Sequence, residues 1–342
     1  MTLDCTLDPA ARPTAALPAT RVGPTRFRCI ACGGDRRARR PAARPERPGR
    51  PFTLVRCRIC GVVQQHPRYT EAEIDRLYAD TYYVFAEHDR SRWARAVQQY
   101  VVHLASAEPA RGRRLLDVGC ALGHLAALAR ARGWRVTGID ISAAAVRRTA
   151  ERFGIDARTA TLVDLRNSAG RFDTVFLGDV IEHVLHPTVF LDDARRLLTP
   201  GGRVCIDTPN WGSRWRRFAG RRWLGLNRYH INLFDAAAMR RLLDAAGFTD
   251  IRTTGYTHYR YESWADRPEM QTHVHKLPAP LAWRVNRLLA ARRHHGRWAG
   301  LRTRPPETLE AAVDCIDALA RRTTCVASPR ADNLVAMAQP AT

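Results

Sequence analysis

Lysine is almost absent from this chain. Of 55 basic residues among 342, Lys276 is the one lysine, and the formal net charge of +22 is carried by arginine. An arginine excess of this kind reads as the compositional habit of a GC-rich genome, so the charge by itself does not name a nucleic-acid partner. A solvated basic surface is the plain reading; a polyanion or an anionic membrane surface is the sharper one. No run approaches about 18 consecutive apolar residues, so no transmembrane helix is expected. Met1 to Arg26 is rich in Pro and Ala and lacks a compact apolar core, which argues against a secretory signal. Nine cysteines are too few for a disulfide scaffold in a chain this long. A reducing, cytoplasmic setting is therefore expected.

Apolar residues make up 45% and charged residues 26%, ordinary globular usage with ample material for a core. The length suggests about two domains. Residues 1–26 read as a disordered tail and residues 27–68 as a small cysteine module. Residues 69–110 read as a helical cap, with Trp93, Val97, Tyr100, Val101 and Leu104 on one face. From residue 111 to 342 strands alternate with helices. The strands are Leu115–Val118, Arg135–Ile139, Asp156–Leu162, Asp173–Leu177, Arg203–Asp207 and Phe248–Tyr256, with Asn333–Ala338 last. The helices are Leu122–Arg132, Ser142–Phe153, Thr188–Leu198 and Asp235–Ala246. Strands alternating with helices of this length imply βαβ units and a mainly parallel sheet, an α/β fold. A Trp- and Arg-rich excursion at 209–233 and an insertion at 258–328 with two helical patterns interrupt the run.

One constellation dominates the chemistry. Leu115-Leu-Asp117-Val-Gly119-Cys120-Ala-Leu-Gly123 is a strand running into a glycine turn that opens a helix. The glycines allow a ligand to approach the backbone, and the helix start offers unpaired N–H groups. Asp140 ends the next strand, 21 residues after Gly119, where a carboxylate suits ribose hydroxyls. Loop, carboxylate and alternation together point to an adenosine-type ligand; a helix N-cap region carboxylate is the simple structural reading of Asp140.

The spacing Asp117-x-Gly119-x-x-x-Gly123 differs from a dinucleotide fingerprint and resembles motif I of the class I S-adenosylmethionine-dependent methyltransferases. Phe172-Asp-Thr-Val-Phe-Leu-Gly178-Asp179-Val-Ile-Glu182-His183, then Leu197-Leu-Thr-Pro-Gly-Gly202, then Ala245-Ala-Gly-Phe248 resemble later segments of that family. The resemblance covers residues 113–256 and the final strand, in the group that includes ubiquinone-type O-methyltransferases. It implies a Rossmann-like seven-stranded sheet with the last strand antiparallel. It implies that Asp117, Gly119, Cys120 and Gly123 surround the methionine part of S-adenosylmethionine. It places Asp140 on the ribose, Ile141 on the adenine, the Leu162 backbone at the adenine edge, and Gly178 and Asp179 near the sulfonium. Two positions depart from the pattern: Ala121 replaces a frequent glycine, and Thr161 stands where relatives often carry Asp.

Methyl transfer needs positioning and often a base for the acceptor's proton. His183 and His230 are the catalytic candidates, each with a capping or packing role as the alternative; Glu182 reads as a structural hydrogen-bond partner. Trp211, Trp215, Trp223 and Tyr229 either line an acceptor pocket or pack a lid. Cys29-x-x-Cys32 and Cys57-x-x-Cys60, with 24 residues between, suit a closed structural zinc site, with a redox role as the alternative. The helix around residues 281–293 carries an arginine face, either solvated or laid on an anionic membrane. The expected acceptor is a small molecule, sugar or lipid-linked precursor, methylated on oxygen in a bacterial tailoring or cell-surface pathway. The competing reading is an rRNA or tRNA methyltransferase that binds RNA through the zinc module and arginines. Against it, Gly178-Asp-Val-Ile-Glu-His is not the Asn-Pro-Pro-aromatic tetrapeptide of base-amine methyltransferases. A binding module on a dead methyltransferase fold is the non-enzymatic reading, and the intact Asp117, Gly119, Gly123 and Asp140 oppose it.

Overall fold

A computed structural model describes residues 27–38, 53–79, 89–107, 112–166, 171–220, 223, 225–256, 308–320 and 331–341. The expected tail at 1–26, residues 39–52 of the cysteine module, the expected arginine-faced helix at 281–293 and the rest of the insertion at 258–307 and 321–328 lie outside the described residues.

The elements follow the hydrophobic pattern. Strands β3 (Arg114–Val118), β4 (Arg135–Asp140), β5 (Asp156–Thr159), β6 (Phe172–Gly178), β7 (Leu198–Pro209), β9 (Phe248–Tyr256) and β10 (Asn333–Pro340) form one seven-stranded sheet in the order β5-β4-β3-β6-β7-β10-β9. β3 pairs parallel with β4 and β6, and β6 with β7. β10 runs antiparallel between β7 and β9. This is the expected sheet with its last strand reversed. The third strand is shorter than expected, and the fifth longer.

Helix ends are set by local chemistry. In α4 (Ala143–Phe153) Ser142 caps the start, its Oγ accepting from the Ala145 N–H at 3.2 Å, and Gly154 stops the helix at φ 59°. Ser213 and Asp235 cap α6 (Arg214–Ala219) and α7 (Ala236–Ala245) in the same way, accepting from the Arg216 and Ala238 N–H groups at 2.9 Å each. Pro187 opens α5 (Pro187–Arg196). The expected helical cap resolves into α1 (Glu71–Ala79) and α2 (Asp89–Gln99), the latter running into a π turn at Tyr100–Leu104.

One face of the sheet is covered by α2, α3 (His124–Ala131) and α8 (Leu309–Ala320). Trp93, Val97, Tyr100, Leu104, Leu125, Leu128, Phe176 and Ile316 interlock there. The opposite face is covered by α5 and α7, through Leu191, Ala194, Met239, Leu242 and Leu243. Three strands stand outside the main sheet. β1 (Thr53–Arg56) and β2 (Val63–His66) of the cysteine module form a three-stranded antiparallel sheet with β8 (Asn232–Leu233). Val63 faces Leu233 and Gln64 faces Asn232. Phe27, Val55, Val62, Cys29, Cys57 and Cys60 belong to the same core cluster as Phe234, Ala238 and Met239. The module thus gains a core by sharing one. Among the described residues, no helix is long and apolar enough to cross a membrane.

Candidate active site at the carboxyl edge of the sheet

Ligands of open α/β sheets bind outside the carboxyl ends of the strands, where the connections reverse direction. Here the reversal lies between β3 and β6, and the candidate residues collect on both sides of it. On the β3 side the chain turns sharply. Gly119 (φ 69°) and Gly123 (φ 73°) are left-handed, and the Gly119 and Cys120 N–H groups both donate to the Ile139 carbonyl, at 2.8 and 3.0 Å. A Cβ on Gly123 would lie 2.4 Å from Thr149 Cγ2, and one on Gly119 2.7 Å from Val180 Cγ2, so neither position tolerates a side chain unmoved. Ala121, where the family pattern often has glycine, is itself left-handed at φ 48°.

Asp140 is buried, and both of its oxygens accept backbone N–H groups: Oδ2 from Ala121 at 3.0 Å and Oδ1 from Ser142 at 2.8 Å. It therefore ties the glycine loop to the start of α4. Asp117 is buried beside it; burial, with the Asp140 charge adding, pushes its carboxyl up to about 7. Burial likewise pushes the Cys120 thiol far up, which keeps it protonated. Ile141 is 58% exposed and Val163 53% exposed, two open apolar side chains beyond the ends of the paired strands β4 and β5. Leu162 itself is buried in the core. The neighbouring Thr161 N–H donates to Asp164 at 2.7 Å.

The β6 side carries the polar groups. Gly178 packs against the Phe176 ring, which a Cβ would approach to 2.5 Å. Asp179 is left-handed at φ 54° and forms an ion pair with Arg95 from α2. Glu182 is fully buried; Oε2 accepts from the Thr208 hydroxyl at 2.9 Å, while Oε1 has no hydrogen-bond partner among the described residues. Burial, with the Asp207 charge adding, pushes Glu182 up to about 7. His183 Nδ1 lies 2.9 Å from the Tyr229 carbonyl, so that nitrogen carries the proton and Nε2 is left as the base, 3.9 Å from Glu182 Oε1. Burial pulls His183 down to about 4, so it is neutral near pH 7. His230 is held the same way, Nδ1 3.0 Å from the Gly225 carbonyl, and its ring lies 4.9 Å from that of His183. One ligand atom each from Glu182, His183 and His230 lies within 4.8 Å of the others, close enough to hold a cation between them.

Behind this cluster, Asp207 on β7 accepts from the Tyr256 hydroxyl at 2.5 Å and from Asn333 Nδ2 at 2.8 Å, with His103 Nε2 at 3.7 Å. Burial works against its charge, but His103, Arg95 and Tyr256 outweigh it and hold Asp207 well below the usual carboxylate range. Arg95, Thr149, Asp207 and Tyr256 were invisible in the sequence. Arg95 reads as one polar residue on an amphipathic helix, and Tyr256 as an ordinary strand aromatic.

The four module cysteines converge as well. Their sulfurs lie within 4.8 Å of one another, with Cys29–Cys60 at 3.4 Å and Cys32–Cys57 at 3.7 Å. Zn–S bonds of about 2.3 Å in a tetrahedron put sulfurs about 3.8 Å apart, so the set fits that ion. Both pairs make the same turn: Gly33 N–H donates to Cys29 O at 2.8 Å, and Gly61 N–H to Cys57 O at 3.1 Å. The Cys60 contact pulls the Cys29 thiol down to about 5. Trp211, Trp215 and Trp223 are buried with Leu54, Val63, Leu226 and Leu233. They pack the lid onto the module.

Residues 85–253 match the family described as "Methyltransferase domain". This stretch is similar to a methyltransferase domain. A probable S-adenosylmethionine-dependent methyltransferase of Mycolicibacterium smegmatis is 33% identical over 159 residues, 46% of this chain and 60% of the relative. A ubiquinone biosynthesis O-methyltransferase of Cereibacter sphaeroides is 38% identical over 112 residues, 31% of this chain and 45% of the relative. The chain thus spans less than two thirds of the length of either relative. Among solved structures, an S-adenosylmethionine-dependent methyltransferase from Archaeoglobus fulgidus superposes with a TM-score of 0.44 at 15% identity, covering 73% of this chain and 93% of that one.

Proposed function

We propose that the chain transfers the methyl group of S-adenosylmethionine to a hydroxyl of a small-molecule, sugar or lipid-linked acceptor. The observation that carries this is the meeting, at one sheet edge, of a glycine cradle with open apolar seats and a Glu–His–His cluster. Asp117, Gly119, Cys120 and Gly123 would hold the methionine end, Asp140 the ribose, Ile141 and the Leu162 backbone the adenine. Gly178 and Asp179 would stand beside the sulfonium. When bound, S-adenosylmethionine would supply an electrophilic methyl carbon for in-line attack by the acceptor oxygen, with the thioether S-adenosylhomocysteine as the leaving group. The protein's work is to orient that oxygen and receive its proton. His183 offers a neutral Nε2 with the His230 ring beside it, and the buried Glu182 stabilises the imidazolium that forms. Cys29, Cys32, Cys57 and Cys60 would bind a structural Zn2+, which would contribute folding energy to a segment too short to fold alone.

The test is label transfer from methyl-tritiated S-adenosylmethionine into a methylation-depleted extract, with the exposed Ile141 changed to Glu as the control. Label in a nuclease-resistant small-molecule, glycan or lipid fraction, lost in Ile141→Glu, is the expected result. Label in a nuclease-sensitive polymer would replace this acceptor class with RNA.

A further inference from the structure

The cysteine module and the acceptor edge are joined by two adjacent, buried glutamines on β2. Successive strand residues point to opposite faces, and Gln64 and Gln65 use this to grip two different things. Gln64 accepts the Ile30 N–H through Oε1 at 2.9 Å and donates Nε2 to the Arg28 carbonyl at 2.9 Å, so it clasps the loop carrying the first cysteine pair. Gln65 donates Nε2 to the carbonyls of Arg228 and His230, at 3.2 and 3.3 Å. Its backbone N–H donates to the Ile231 carbonyl at 2.9 Å. Both side chains are almost wholly buried, 1% and 2% exposed. A side-chain amide has two N–H donors, and Gln65 faces both toward the lid.

The segment that Gln65 grips is the one that presents His230. Asn227 Oδ1 accepts the Tyr229 and His230 N–H groups at 2.9 and 3.0 Å, making a tight turn. The Tyr229 carbonyl fixes His183 Nδ1, and the Ile231 N–H donates to the Glu182 carbonyl at 2.9 Å. The cysteine pairs, β2, the lid turn and the Glu182–His183–His230 cluster are therefore one continuous hydrogen-bonded body. Leu54 and Val63 of the module anchor the same lid through Trp211, Trp215 and Trp223.

We infer that Gln65 is a positioning residue for His230, and that filling of the Cys29–Cys32–Cys57–Cys60 site sets the geometry of the acceptor edge through Gln64 and Gln65. The inference rests on the reading that His230 faces the acceptor, but its test does not require methyl transfer. The first cysteine pair and β2 share Gln64, so metal binding at the thiolates fixes β2. β2 then fixes the carbonyls that bracket His230.

The experiment follows the imidazole 1H–13C resonances of the full chain, with His183→Gln and His230→Gln to assign them, together with zinc content and S-adenosylmethionine affinity by calorimetry. Gln65→Met keeps the bulk and loses the donors; Gln65→Asn keeps an amide but withdraws it by one methylene. Both variants should retain zinc and bind S-adenosylmethionine within about twofold of the parent, while shifting His183 and His230 together and lowering the turnover rate about tenfold or more. Stripping the metal should shift the same two resonances and redden the tryptophan emission. Unmoved His183 and His230 signals in Gln65→Asn, or after complete metal loss, would overturn the inference. If metal loss unfolds the chain, seen as lost ligand affinity, the two Gln65 variants decide the matter. Failure of the parent to bind S-adenosylmethionine would instead strike the proposed function and leave the His230 coupling to be judged by the resonances.

Discussion

Raising the pH from 6 to 8 should tighten the binding of S-adenosylmethionine, and Asp117 is the reason. Its carboxyl is buried against Asp140 and pushed up to about 7 in the free protein. The ligand brings a sulfonium and an ammonium, both of which favour the ionised carboxylate. Binding should therefore expel a proton from Asp117 whenever the pH lies below its free value. With a value near 7, about a tenth of the molecules carry the carboxylate at pH 6 and about nine tenths at pH 8. The affinity should then rise about tenfold across the window, or ~1.4 kcal/mol. Calorimetry in two buffers of different ionisation enthalpy at pH 7 should count a release of about half a proton per ligand bound. Asp117→Asn should keep only the slope that comes from the ligand's own amino group. The same linkage acts on folding. A carboxyl raised in the folded state adds its stability at low pH and loses it as the pH climbs from about 4 to about 7. Ligand-free Asp117→Asn should accordingly be more stable than the parent at pH 8, with the gap closing toward pH 5. An affinity that changes less than twofold between pH 6 and 8, or a slope that survives in Asp117→Asn, would refute the reasoning.

Three further outcomes can be checked. Methyl transfer should rise with pH through about 7, because Glu182, pushed up to about 7, holds the proton that the cluster must lose before it can accept another. Glu182→Gln should lower kcat about 100-fold or more and remove that limb of the pH–rate profile. Ala121→Gly should stabilise the fold by up to about 1 kcal/mol, since Ala121 sits at φ 48°, and thermal denaturation reads this directly. A lower melting temperature would show that the gain in unfolded-chain entropy prevails. Cys57→Ser should lose bound zinc by metal analysis and lower the melting temperature of the chain in a single transition. Cys57 belongs to the shared core cluster, so a separate early transition would contradict that packing.

Much of the fold was legible along the chain because strand and helix write their own periods into it. The apolar faces of α2 and α8, the Ser142 and Asp235 caps and the stop at Gly154 all follow from neighbours a few residues apart. The glycine loop, Asp140 and the two cysteine pairs were legible for the same reason: their chemistry depends on short spacings. The tryptophans of the lid were half legible. Their positions marked an excursion, but whether they faced a ligand or a neighbour depended on β1 and β2, more than 140 residues earlier in the chain.

Local pattern set which segments become strands and helices, and where the glycine turn, Asp140 and the two cysteine pairs fall, since those features are written in short spacings. How those pieces meet came from packing across the chain. It joined β2 to β8, set Gln65 against carbonyls 163 and 165 residues away, and drew Arg95 to Asp179 across 84. It also buried Glu182, lifting its proton affinity beside two histidines. The physical reason is that burial and hydrogen-bond partnership belong to pairs of residues brought together by packing, and no local period records them.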